Sequence, residues 1–527
     1  MVQTKRGKAV KKPARTPVYV SPNQLTIGHD FETPFAQALS SENRWVKLSR
    51  LLPWDKMVAQ YDKTFKSTEG RQPLNGRIVI GAVIIKHMLK LSDRETVQQI
   101  QENVFMQYFL GYSSFTNEAP FDASLFVDIR QRLSLEVMGS INEIVIAHHF
   151  DRAEAVTGAL PGEDKDDGGD PSPIITTHSA DITSVEGEQN PQEVTHKGKL
   201  LMDATVAPQN ITFPTDLKLL NAAREKSEEL IDKLYSKDRH GDVKPRTCRN
   251  IARKEFLDIA KKKNKTARQR YKANGKQLRF LKRNLSHIES LLQAYNGGFP
   301  LKHKDQKYLI VLHCVYEQQY QMHSTHTHRI DDRIVNIHQP HVRPIKRGKD
   351  GKKVEFGSKL QVSLSEGFTL IDQLSWDNFN EGGCLTESVA LYKKRFGYYP
   401  QMVLADKIYC TRENRRLLKE LGIELRAKPL GRPAASALSN QVSPGERNPI
   451  EGKFGQAKAG YNMECIKAKL KTTSESWIAS IILVLNLINL MRQALYCIVQ
   501  TIKQSFICLY QVVIPSGNFG VFKIKMS

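Results

Sequence analysis

The stretch KGKLLMDATVAPQN, residues 197–210, sets one acidic residue, Asp203, inside an apolar run. Leu200, Met202, Ala204 and Val206 surround it, and Pro208 ends it. The run reads as a buried strand, where a lone carboxylate is costly to desolvate unless something pairs with it. A salt-bridged core aspartate and a cation-binding aspartate both meet that need.

Downstream, the pattern alternates between strands and helices. Residues 215 to about 325 are helical, and in GKQLRFLKRNLSHIESLLQAYNGG the residues Leu278, Leu281, Leu285, Ile288, Leu292 and Tyr295 recur at three- and four-residue spacing. Such spacing predicts a coiled-coil-like seam. From 354 the period becomes two: VEFGSKLQVSLSEGFTLIDQLSW reads as a hairpin turning at SEGF. A helix follows (TESVALYKKRFG), then a short buried strand, YYPQMVLADKIYC, with Asp406 at its end. Another helix (TRENRRLLKELG) and strand (IELRAKP) lead through a Gly/Pro/Ser loop to RNPIEGKFGQAKAGY. This last piece reads as a helix start, with Asn448 as cap, Pro449 first and Glu451 third. The order predicts an α/β layer fold with a large helical insertion at about 215–325.

Upstream of Asp203 the chain has a different character. Residues 1–40 read as a basic, flexible tail. Residues 41–150 read as an all-α domain: SDRETVQQIQENVFMQYFLG opens with a capping box of Ser92 and Glu95. A helix-turn-helix-like DNA reader, with Arg130 and Arg132 facing phosphates, and a plain helical bundle both fit this pattern. Residues 151–197, including GEDKDDGGDPSP, read as a flexible acidic linker separating the two parts.

The 78 basic against 55 acidic residues, a net charge of +23, point to a polyanion partner, nucleic acid before an acidic membrane. Residues 241–290 hold sixteen Lys or Arg and four acids, among them Lys261, Lys262, Lys263 and Lys265. A phosphate-contacting arm is favoured there over a merely solvated helix face. Seven scattered cysteines without C-x-x-C spacing fit reduced intracellular thiols. WIASIILVLNLINLM, 477–491, is short and broken by Asn486 and Asn489, so a buried helix is expected rather than a membrane span. A soluble cytoplasmic, nucleoid-associated protein without a membrane partner is the expectation. The histidines of MHSTHTHRIDDRIVNIHQPH read as a polar connection rather than a zinc site, and no P-loop points to ATP.

Asp203 and Asp406 on strands, with Glu451 in a helix's first turn, are three hard oxygen donors on rigid elements, which suits Mg²⁺. Their flanks carry a resemblance. LLMDATVAPQNITFPTDLKLLNAARE, VRPIKRGKDGKKVEFGSKLQVSLSEGFTLIDQLSWDNFNEG, LADKIYCTRENRRLLKELGI and RNPIEGKFGQAKAGYNMECIKAKLKTTSESWI resemble the catalytic segments of DDE transposases of bacterial insertion sequences. The similarity is to the group named after insertion sequence five and covers roughly 40–495, including the helices before the core. It implies an RNase H-like mixed sheet at 198–495, with Asp203, Asp406 and Glu451 as catalytic metal ligands for Mg²⁺ (Mn²⁺ substituting). It implies double-stranded DNA as partner, both element ends and target, and at least a homodimer in the active complex. Of the related tyrosine–arginine–glutamate–lysine signature, Arg447 and Lys458 carry over as phosphate-contacting cations, whereas Pro444 stands where the tyrosine would be. The rival is a non-catalytic basic nucleic-acid-binding protein. Residues 496–527 fall outside the resemblance, and no role follows for them.

Overall fold

A computed structural model describes residues 38–65, 72–157, 196–295, 298–346, 354–427 and 445–513. Nearly all of the expected basic tail and acidic linker, Pro444, and everything after Val513 lie outside them.

The sheet is built around β1 (Lys199–Pro208). On one side β1 runs antiparallel to β3 (Val354–Ser365), with Asp203 opposite Val362. On the other it runs parallel to β5 (Met402–Leu404), which in turn pairs in parallel with β6 (Glu424–Arg426). The far edge of β3 is shared by β2 (Arg343–Lys346) and β4 (Phe368–Ser375), both antiparallel. The result is a six-stranded mixed sheet. The expected hairpin is β3–β4: Glu366 and Gly367 both take positive φ, 49° and 80°, as a tight two-residue turn requires. At Gly357 a Cβ would come within 2.1 Å of the Ala207 carbonyl oxygen, so only glycine lets β3 approach β1 there.

Alternation along β1 sends its residues to two different layers. Leu200 and Met202 pack with Val403 under α13 (Leu385–Phe396) and α14 (Arg412–Glu420), through Leu385, Val389, Tyr392 and Leu418. Asp203 shares the other face with Ala207. There Leu360 and Val362 join Ala207 against Ile478, Ile481 and Leu485 of α16 (Lys471–Val513). α15 (Asn448–Gly455) continues into a π-helical turn, Gln456–Gly460, and packs through Ile450 and Ala457.

The N-terminal helices are α1 (Arg44–Leu51), α2 (Trp54–Asp62), α3 (Gly76–Leu89), α4 (Asp93–Glu102), α5 (Val104–Phe109), α6 (Phe126–Arg132) and α7 (Leu135–Thr157). The capping box of Ser92 and Glu95 forms as its spacing predicts. These helices are not a separate body. Their core of Trp54, Met57, Ile80, Ile84, Phe109 and Phe126 also contains Ala479, Leu483, Val484 and Leu487 of α16. One helix is thus buried on two sides, against the sheet and against the N-terminal helices, which explains why it is apolar all round. The stretch Lys471–Ala494 is long and apolar enough to span a membrane, yet 72% of its most apolar window is buried inside the protein. Asn486, fully buried, donates to the Thr369 carbonyl at 2.7 Å and to Asn142 Oδ1 at 2.8 Å, and accepts from the Thr369 N–H at 2.7 Å. Its amide ties α16 to β4 and α7 at once.

Between β1 and β2 lie α8 (Asp216–Leu234), α9 (Lys237–His240), α10 (Arg249–Ala260), α11 (Ala267–Gln293) and α12 (His303–Ser324). The seam of α11 packs Leu278, Leu281, Leu285 and Ile288 against Leu220, Ala223, Leu230 and Ile231 of α8. Asn284 inside the seam donates its amide N–H to Ser227 Oγ, 2.9 Å away on α8, while its buried Oδ1 has no hydrogen-bond partner.

Candidate active site

Strand register alone brings the two aspartates together. Leu201 pairs with Leu404 across the parallel β1–β5 ladder, and Asp203 and Asp406 each stand two residues further on. The carboxyl ends of adjacent parallel strands are where α/β sheets bind ligands. Asp406 caps the 3₁₀ turn Lys407–Tyr409 and accepts the Lys407 N–H at 2.8 Å. Asp203 Oδ1 accepts the N–H of its neighbour Ala204, also at 2.8 Å.

The third member of the group is a cation. Arg447 reaches Asp203 Oδ2 at 3.2 Å and Asp406 Oδ1 at 3.4 Å, so one guanidinium spans two carboxylates. The preceding residue fixes its place: Glu446 pairs with Arg426 of β6 at 3.3 Å. The Nε of Arg447 is buried without a hydrogen-bond partner, so the bridge leaves part of the guanidinium unsatisfied. Burial raises the Asp203 carboxyl above its ordinary value. The Ala204 N–H and Arg447 pull it back, while the charges of Glu381 and Asp406 push it up further.

Glu381 is an acid that sequence reasoning missed. It lies in the 3₁₀ turn Glu381–Cys384 and is held 2.8 Å from the buried Lys359 of β3. A lone acid in a loop after a hairpin carries no periodic signal, and only the fold sets its charge near Asp203. Tyr409, buried and pushed far up by that burial, donates to Gln361 Oε1 at 2.8 Å.

The remaining expected site residues are placed as follows. Glu451 is exposed in the first turn of α15. The helix begins one residue earlier than its spacing predicts: Arg447 occupies the cap position without a side-chain capping bond, and Asn448 is already helical. Among the described residues, no three His, Cys, Asp or Glu side chains are gathered as if to hold a metal ion. Lys458 sits in the π-helical turn and lines a cleft with Phe213, Phe356 and Glu464. An inserted residue of this kind re-aims the side chains that follow it.

Lys261, Lys262 and Lys263 are exposed between α10 and α11, and Lys265 donates to the Ala260 carbonyl at 3.1 Å. Arg132 is exposed, its guanidinium 4.5 Å from the Phe65 ring centroid. Arg130 lies inside the protein and not on an open surface. It is 6% exposed and donates to both oxygens of Asp93, at 2.8 and 2.9 Å, because it lies on the face of α6 that packs inward. The histidines of 322–341 disperse: His323 and His326 stack on Tyr271, His338 accompanies Tyr308, and His341 meets Trp376 edge-on.

Two family models match this chain. Residues 34–132, the segment of α1–α6, match a transposase domain (DUF772), and residues 403–488, from β5 into α16, match a transposase DDE domain. These matches support a DDE transposase. The second contains Asp406, Arg447, Glu451 and Lys458, whereas Asp203 lies outside both and joins the group through strand pairing and Arg447. Over 91 residues the chain is 35% identical to an uncharacterized protein, ORF8 in the nfe locus, of Rhizobium meliloti. That stretch is 17% of this chain and 42% of the relative. No solved structure matches.

Proposed function

We propose that this chain is a transposase of the insertion-sequence-five group with an RNase H-like core. On this reading it binds the terminal inverted repeats of its element, cleaves the strands there, and joins the freed 3′-hydroxyls to target DNA. It acts in the cytoplasm, at the nucleoid, with two copies pairing two DNA ends. One observation carries the reading: Asp203, midway along β1, and Asp406, just past the end of the parallel β5, both lie within reach of Arg447 from the segment that carries Glu451.

The pairing of Asp203 with Asp406 supports a divalent cation here, although Glu451 is not gathered with them. Two carboxylates face one guanidinium, and Asp203 is further opposed by Glu381, so negative charge is in surplus. Hard oxygens with excess negative charge suit Mg²⁺ or Mn²⁺. Asp203 and Asp406, with Glu451 from α15, are the residues that would hold it. When bound, the metal stabilises charge on the attacking and leaving oxygens of an in-line phosphoryl transfer. The chain's own cations do the positioning: Arg447 and Lys458 hold phosphates flanking the scissile bond, and Lys261, Lys262, Lys263 and Lys265, with Arg132, meet the duplex further out.

Nicking of supercoiled DNA carrying the element ends tests this. The parent protein should cleave in Mg²⁺ or Mn²⁺ and bind without cleaving in Ca²⁺. Asp203→Asn, Asp406→Asn and Glu451→Gln should each lose cleavage by a factor on the order of a thousand while retaining binding. A variant of any one of the three that cleaves at the parent rate removes that residue from the mechanism. A parent that binds DNA but never nicks it leaves the rival, a binding protein without chemistry.

A further inference from the structure

A second charged site lies where the N-terminal helices meet the segment that follows the π-helical turn. Lys86 of α3 is 2% exposed, and its ammonium donates to the Leu91 carbonyl at 2.7 Å and pairs with Asp93 at 2.9 Å. Arg130 grips the same Asp93 from the other side. Both cations lie over the Trp477 ring, 4.9 and 5.6 Å from its centroid, so α16 forms one wall. Buried His87 meets that ring edge-on, and burial holds it neutral.

Beside this cluster is a cavity of about 190 Å³. Lys90 and Lys467, both exposed, stand at its rim and form no ion pair among the described residues. The lining therefore has four cations, Lys86, Lys90, Arg130 and Lys467, against the carboxylate of Asp93, and the nearby Glu95 that feels Lys86 and Lys467 still leaves a positive surplus. Behind its wall two donors, Arg130 Nε and Trp477 Nε1, are buried without hydrogen-bond partners and do not open into the cavity. The lining itself carries surplus positive charge, and such a cavity is complementary to an anion with several acceptor oxygens.

We infer that the cavity between Lys90, Arg130, Lys467 and Trp477 is a phosphate-binding subsite, separate from the carboxylate site on the sheet. Asp93 holds Lys86 and Arg130 in place, and the rim lysines close on the ligand. The volume admits one phosphate group with water and excludes a base pair. A DNA backbone phosphate and a free phosphate share the chemistry required, and the site joins elements from the two segments that carry the transposase matches.

The test uses the full chain and the double variant Lys90→Gln/Lys467→Gln, which touches only exposed side chains. Calorimetric titration with inorganic phosphate should show binding to the parent and at least about a tenfold loss in the double variant. Duplex binding as a function of salt then separates the sources. If the occupant is a backbone phosphate, the double variant flattens the log–log slope by about 2. If it is free phosphate, the slope is unchanged while phosphate binding still falls. Parent protein that binds neither phosphate nor sulfate, together with a double variant whose salt slope matches the parent, overturns the inference. None of these readouts depends on cleavage, so they stand apart from the fate of the proposed chemistry.

Discussion

Two triads in this protein invert one another's charge. At the sheet, two carboxylates, Asp203 and Asp406, share one cation, Arg447; at the helical junction two cations, Lys86 and Arg130, share one carboxylate, Asp93. Their tightness differs. The junction contacts are 2.8 and 2.9 Å long and their cations are nearly fully buried. The sheet contacts are 3.2 and 3.4 Å long, and half of Asp406 is exposed. An ion pair sealed from water is expensive to break, because whichever charge remains has no solvent to turn to. An ion pair open to water can exchange its partner. The junction triad is therefore built to hold helices in place, and the sheet triad to trade one cation for another.

The largest stability effect should come from the junction. Asp93→Ala strands two buried cations and should cost about 3–5 kcal/mol in urea unfolding. Asp203→Asn should cost nothing measurable, since burial, Glu381 and Asp406 already disfavour its charge. A loss at Asp93 below about 1 kcal/mol, within the range of exposed pairs, would erase the contrast.

Next comes Arg447→Gln. Without the bridging guanidinium, Asp203 and Asp406 face one another unscreened and should take up Mn²⁺ several-fold more tightly, as read by electron paramagnetic resonance without DNA. Cleavage should fall in the same variant through loss of a phosphate contact. Weaker Mn²⁺ binding would show that Arg447 holds the carboxylates in place rather than competing for them.

A smaller effect is expected from His87. Burial, reinforced by the charges of Lys86 and Arg130, holds it well below its ordinary value of 6.5. The unfolded chain therefore takes up a proton below pH 6.5 that the folded chain refuses, so stability falls as pH drops through that value. His87 should contribute up to about 1.4 kcal/mol per pH unit to the slope between pH 6 and 5, a share that His87→Gln removes. Identical slopes would mean that His87 takes up its proton in the folded protein as readily as in the unfolded chain.

The smallest effect on stability, within about 0.5 kcal/mol, should come from replacing Lys261, Lys262, Lys263 and Lys265 with Gln. Their signature belongs in solution instead: a DNA-affinity salt slope flatter by up to about 3.6. An unchanged slope makes this loop an ordinary solvated surface.

What could be read from residue order was whatever has a period or a local partner. The seam from Leu278 to Ile288, the SEGF turn, the Ser92–Glu95 box and the strand around Asp203 all formed where spacing placed them. Asp203 and Asp406 each stood out as an acid at an apolar strand. Their adjacency followed only from the family resemblance and not from the local pattern, because it depends on the register of strands some 200 residues apart. The burial of Arg130 was hidden for the same reason: its partner Asp93 lies on another helix, and nothing near residue 130 announces it. Glu381 gave no local signal, and Arg447 was legible as a cation but not as the bridge between two acids. Asn486 was noticed as a break in an apolar run, and its meaning came only with Thr369 and Asn142. Charge tells which residues want a partner; only tertiary structure tells whether they have found one inside the protein.

The double burial of α16 also constrains how the protein is made. Leu483, Val484 and Leu487 complete a core begun by Trp45 and Trp54, more than 400 residues earlier in the chain. During synthesis the N-terminal helices leave the ribosome with that wall missing and must wait, apolar faces uncovered, until α16 has emerged. A message cut short before residue 470 yields a product that can neither close its first core nor seat the sheet. Premature termination should therefore leave no stable fragment able to compete for the same DNA.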